Sequence, residues 1–202
     1  MAIFRKFTVK TVVPVAILLF STILQAADGP QRAATSRDVI GSWFGRAAAD
    51  QVICPPGSPG CPVPAEIIMV FTVLADGSFI GIDSNIFAGG SHSTAHGEWV
   101  ADPPSGIKAA FTLLQSSPSG VFIGGFKNLF EATAVEPDKL EGKITAFLYL
   151  YTTPTGVAIL GPDGLPTPSP LSPPEQCATQ AGCTRLGTFK FIAKRVSAPG
   201  KK

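Results

Sequence analysis

The sequence predicts an all-β protein, an eight-stranded antiparallel up-and-down barrel. Three observations predict it. Aromatic and β-branched residues recur with period two in eight stretches. Those stretches are joined mostly by short turns. No window beyond the N-terminal apolar run shows apolar residues at i, i+3, i+4 and i+7. A meander of strands has two exposed edges, and closing it removes both. An interior of that size is filled by side chains or holds one small ligand.

Ahead of the strands, Arg5, Lys6 and Lys10 give a basic start, and residues 12–24 form an apolar run broken only by Pro14, Ser21 and Thr22. That run is shorter than the roughly 20 residues that span a bilayer. With Leu24-Gln25-Ala26 as a cleavage site, residues 1–26 read as a signal peptide. The expected protein is secreted or periplasmic, with no stable membrane insertion after cleavage. Residues 1–26 carry three of the 16 Lys and Arg and no anion, which leaves 13 cations against 14 Asp and Glu. No basic stripe remains, so nucleic acid is not an expected partner.

Residues 27–38 form a lead segment with a short helix expected at 31–38. One barrel domain is expected over 39–196, followed by a tail at 197–202. The first strand is 40–47. Strands 66–74 and 78–84 make a hairpin around Ala75-Asp76-Gly77, where Asp-Gly supplies positive φ. The fourth strand is 93–101, ending at Asp102-Pro103-Pro104. The fifth is 107–115, with Ile107, Ala109, Phe111 and Leu113 on one face. The sixth is 121–135, with Phe122, Phe126 and Phe130 sharing a face with Gly124. The seventh is 140–151. Its odd face carries Lys143, Thr145, Phe147, Tyr149 and Tyr151, and its even face carries Ile144, Ala146, Leu148 and Leu150; either could point inward. The eighth is 186–196, with Phe189, Phe191, Ala193 and Arg195 on one face.

Pro and Gly concentrate at 54–64 and at 152–184. The second stretch is long for a loop inside a compact domain and reads as an exposed excursion. Cys54 and Cys61 flank the first loop, and Cys177 and Cys183 flank a short segment of the second. Four cysteines allow three pairings, of which the local pairs 54–61 and 177–183 are the simplest. Neither spacing is C-x₂-C, so disulfides are expected in preference to a metal site. No cofactor is expected.

Gly41-Ser42-Trp43 at the start of the first strand, the eight-strand order, and Arg195 in the last strand together resemble the calycin pattern, whose best-known members are lipocalins. The resemblance implies that Trp43 packs at the closed end of the barrel and that Arg195 lies across its ring. A guanidinium over an indole face contributes about 0.5–2 kcal/mol. Residues 71–84 and His96-Gly97-Glu98-Trp99 are similar to segments of small exported bacterial lipocalin-like proteins. That family usually has a helix near the position of loop 152–184, where this chain shows no helical pattern.

His92, His96 and Glu98 share parity and are expected on one side of the fourth strand, where His96 and Glu98 would lie about 6–7 Å apart. They could serve as metal ligands or as an acid–base pair. However, a straight strand puts His92 about 13 Å from His96, and polar residues of one parity usually face water. Asp76, Asp83 and Asn85 sit at turns and are assigned no catalytic role. Lys127 and Glu131 are expected on the outer face.

The aromatic residues are the stronger functional signal. Phe111, Phe122, Phe126, Phe130, Phe147 and Tyr149 are the expected ligand-lining set, and Phe189 and Phe191 share their face. Gly81, Gly97, Gly124 and Gly125 are expected to leave space or to mark bends. No nucleophile elbow, zincin motif, phosphate loop or dinucleotide fingerprint is present. The expected function is an exported barrel binding a small apolar ligand. Two alternatives stand beside it: an enzyme of cyclase or isomerase type on the same barrel, and a structural or envelope-interaction protein with a filled barrel. A cavity below about 100–150 Å³ would favour a filled interior, because a drug-sized ligand needs about 300 Å³.

Overall fold

The structure is a computed structural model that describes residues 35–54, 56, 59, 61, 63–84, 91–150, 177 and 183–197. The expected signal peptide at 1–26, Asn85, Tyr151 and nearly all of the stretch 152–184 lie outside the described residues. A single 3-10 turn, Ser36–Val39, leads into nine strands. These are β1 (Gly41–Val52), β2 (Glu66–Val73), β3 (Ser78–Asp83), β4 (Ser91–His92), β5 (Ala95–Asp102), β6 (Gly106–Ser116), β7 (Phe122–Glu136), β8 (Lys139–Leu150) and β9 (Cys183–Arg195). Both β4 and β5 pair with β6, one beyond the other, so they share one strand position. Every pairing is antiparallel, and β1 pairs with both β2 and β9. The ring therefore closes as an eight-position, lipocalin-like up-and-down barrel.

Period two explains most of the strands. Ile107, Ala109, Phe111 and Leu113 are buried, while Lys108, Ala110 and Leu114 are exposed. Asp76 turns the β2–β3 hairpin: its carboxylate accepts from Ser78 N–H at 2.9 Å, which holds the group below the usual carboxylate range. Gly77, at φ 92°, takes the conformation that an L side chain resists.

Several boundaries differ from expectation. β1 runs to Val52 because β9 continues to pair with it as far as Gly187, across a bulge at Asp50. The expected fourth strand begins only at Ala95, after a break at Ser93–Thr94 where Ser93 N–H donates to Leu114 O at 2.9 Å and Ser93 Oγ accepts from Leu114 N–H at 3.0 Å. The expected helix at 31–38 is the four-residue 3-10 turn; residues before 35 lie outside the described residues. Its Thr35 N–H and hydroxyl both donate to Asp38, at 2.6 and 2.9 Å.

The core is one cluster inside the ring. Its centre is five phenylalanines, Phe71, Phe79, Phe111, Phe130 and Phe191. Phe79 stacks on Phe111, and Phe130 on Phe191, each with centroids 4.7 Å apart. Phe71 meets Phe130 edge-on at 5.2 Å. Each buried ring contributes roughly 1.5–3 kcal/mol of transfer free energy. Gly97 and Gly124 serve close packing, whereas Gly81 lines the interior hollow. A Cβ on Gly124 would lie 2.1 Å from Tyr149 O, and one on Gly97 would lie 2.0 Å from Ala110 O.

Candidate functional site

The two ends of the barrel are built differently. At one end the 3-10 turn crosses onto β6 and β7 and buries Val39 completely. Trp43 is fully buried beneath it and donates from Nε1 to Val39 O at 2.8 Å. Arg195 covers the indole, with its guanidinium carbon 4.3 Å from the ring centroid. The same guanidinium donates to Ile40 O at 2.8 Å, to Pro137 O at 3.0 Å and to Asp38 O. Gly41 completes the arrangement: its φ is 141°, and a Cβ there would meet Arg195 Nη1 at 2.4 Å. The three signature residues expected at the closed end, Gly41, Trp43 and Arg195, are brought together there.

Among the described residues the other end carries no such plug, and it holds both disulfides, Cys54–Cys61 and Cys177–Cys183. Below it lies an apolar cup of about 50 Å³. Phe71, Phe79, Phe111 and Phe130 belong both to the central ring cluster and to the wall of the cup, while Met69, Leu113, Phe126 and Phe189 line it further up. That volume is far below the ~300 Å³ of a drug-sized site. It is also smaller than the roughly 150 Å³ that admits benzene. A larger hollow of about 510 Å³ lies around Gly142 on β7–β9, but it is open to solvent and its charges are spent on each other. Glu131 pairs with Lys143 at 3.2 Å, Glu141 with Lys139 at 2.7 Å, and Lys190 with Asp50 at 3.0 Å.

Of the expected lining residues, Phe111, Phe126 and Phe130 do line the cup. The other three do not. Pairing between β6 and β7 passes from Gln115–Gly124 to Ser116–Phe122, a one-residue bulge that turns Phe122 out of the inner row and leaves it 37% exposed. Phe147 and Tyr149 lie on the outer face of β8, because Ile144, Ala146 and Leu148 take the inner one. There they form a satellite cluster with Cys177, Cys183 and Leu129. The Tyr149 hydroxyl is buried without a hydrogen-bond partner among the described residues, and burial pushes its pKa up.

The histidine cluster is divided. His96 and Glu98 are exposed on β5, which removes them from the interior. His92 does not share their side, because the break at Ser93–Thr94 resets the alternation. Its side chain is only 6% exposed and lies at the mouth of the cup. Nδ1 lies 2.9 Å from Ser93 O, and Nε2 lies 3.0 Å from Asp83 O and 3.4 Å from Asp83 Oδ1. Both ring nitrogens thus lie within hydrogen-bond distance of oxygen acceptors, so His92 ties β3 to β4. No group of three metal-binding side chains exists among the described residues.

Several lining residues escaped the expected set, among them Met69, Phe71, Phe79 and one polar residue, Asn128. Asn128 is 7% exposed and points inward from β7, one inner position from both Phe126 and Phe130. Its signal was present as a polar residue on the phenylalanine parity. Comparison with protein-family models, with curated proteins and with solved structures finds no match. Among the described residues no helix is long and apolar enough to cross a membrane.

Proposed function

We propose that this protein is an exported, calycin-type binding barrel that takes the tip of a small apolar ligand into the cup at its open end. The observation that carries this reading is the asymmetry of the barrel: one end is sealed by Trp43 and Arg195, while the other presents an apolar hollow. The two disulfides at that end suit an oxidising compartment and support export. The small volume limits the ligand. Only a few heavy atoms enter, and the remainder lies across Pro64 and Ile67 at the mouth. Native mass spectrometry of the mature protein from its own host tests this. A mass excess lost on denaturation is expected; a mass equal to the apoprotein less four hydrogens overturns it.

A second reading has its own support. The five-ring core and the 50 Å³ cup fit a filled barrel that acts through its wall. On the outer face Phe44 pairs with Val70 and Val70 with Ile82, and all three are 40–54% exposed. Exposed apolar rows of this kind mark interaction surfaces. This reading expects no mass excess and a bound protein partner that is lost in Val70→Lys.

A further inference from the structure

We propose that Asn128 reads a neutral hydroxyl or carbonyl at the buried tip of the ligand, which enters the cup polar end first. This rests on the binding-barrel reading. Three observations carry it. Asn128 is 7% exposed as a residue and lines the cup wall. Its side-chain amide borders the hollow without a protein partner among the described residues, whereas an amide inside a folded protein is ordinarily satisfied. Its level is the floor of the cup. Cross-strand pairing sets Asn128 opposite Phe111 and Ala146, immediately beside Phe130 of the central ring cluster.

The chemistry selects the ligand class. A carboxamide offers one acceptor oxygen and two donor hydrogens. A hydroxyl complements both and a carbonyl complements the donors. A carboxylate head is disfavoured, because among the described residues no Lys or Arg lines the cup and burying an unpaired charge is costly. The ionisable groups among the described lining residues, His92 and Asp83, face each other at the mouth. A purely apolar tip is also disfavoured, since it would leave the amide dry and unpaired. The limited volume agrees: it has room for one polar group and a carbon or two, so the longer apolar body must face the mouth.

The test uses three probes of one length, 1-hexanol, 1-chlorohexane and hexanoate, titrated into the full mature protein and followed by NMR of the Asn128 side-chain NH₂. Hexanol is expected to bind about tenfold more tightly than either of the others and to shift that NH₂ pair. In Asn128→Leu the preference for hexanol over chlorohexane should vanish. Asn128→Ser, which keeps a hydroxyl, should retain part of the preference and guards against a folding defect in the Leu variant. If all three probes bind equally in wild type and in Asn128→Leu, the role of Asn128 is overturned but the binding barrel stands. If hexanoate binds best, the neutral-head assignment is wrong. If no probe binds and the NH₂ pair contacts water alone, both the assignment and the binding barrel fall.

Discussion

The two ends of this barrel use their polar groups in opposite ways. At the sealed end every polar atom of the clamp is committed: Trp43 Nε1 to Val39, and the Arg195 guanidinium to three separate carbonyls. At the open end the interior holds an amide with no partner among the described residues and a hollow beside it. The contrast separates what stabilises the fold from what is left available for a ligand. Satisfied, fully buried networks rigidify a structure. An unsatisfied group is a standing cost that only an incoming partner removes.

Mutations at the two ends should break this contrast in graded steps. Trp43→Ala removes the largest buried side chain of the clamp and leaves Arg195 without its ring; a loss of about 3–5 kcal/mol is expected in denaturant unfolding followed by circular dichroism. A loss below about 1 kcal/mol would show that the sealed end does not govern stability. Met69→Ala should cost about 2–3 kcal/mol at the low end of core truncations and enlarge the cup; hexanol affinity should rise as stability falls. If both fall together, Met69 supports the fold without bounding the site.

Removing the Cys177–Cys183 bridge by a double Ser substitution should cost about 2 kcal/mol, as expected for so short a loop. Trp43 lies at the other end of the barrel, so its emission should be unchanged in the native state. A shifted emission would mean that the two ends are coupled. The smallest effect is expected from Tyr149→Phe, which deletes a buried hydroxyl without a partner among the described residues. Stability should stay within about 1 kcal/mol and move upward. The pH dependence has a definite sign. Burial raises the Tyr149 pKa above its ordinary value. The unfolded chain therefore ionises first, near pH ~10, and stability present below that pH is lost as pH rises through the native value. The Phe variant should lack that alkaline slope, which pH-dependent melting will show.

Where one face of a strand was plainly apolar, the sequence specified the structure. Ile107, Ala109, Phe111 and Leu113 all point inward as their alternation requires. The Gly41, Trp43 and Arg195 arrangement was legible only through its resemblance to the calycin pattern, and the structure brings the three residues together. The misassignments have one physical origin. Period two says that two faces differ, and β8 is apolar on both. Phe147 and Tyr149 pack on the outside against Cys177 and Cys183, which no periodic pattern announces. Bulges are likewise invisible to parity: one extra residue between Phe122 and Gly124 removed Phe122 from the inner row. Asn128 was overlooked because it interrupts a run of phenylalanines, although that interruption marks the one interior amide of the cup wall.

The pairing of β1 with β9 has a consequence for how the chain acquires its structure. Trp43 cannot receive Arg195, nor β1 its second neighbour, until the last strand is in place, and the bond from Arg195 to Ile40 spans 155 positions. A ring closed by its two most distant strands has high contact order, so folding should be slow for its size, on the order of milliseconds to seconds. Until that last strand arrives, β1 and β8 each present a free edge. The interval before ring closure is therefore the stage at which this protein is most exposed to aggregation.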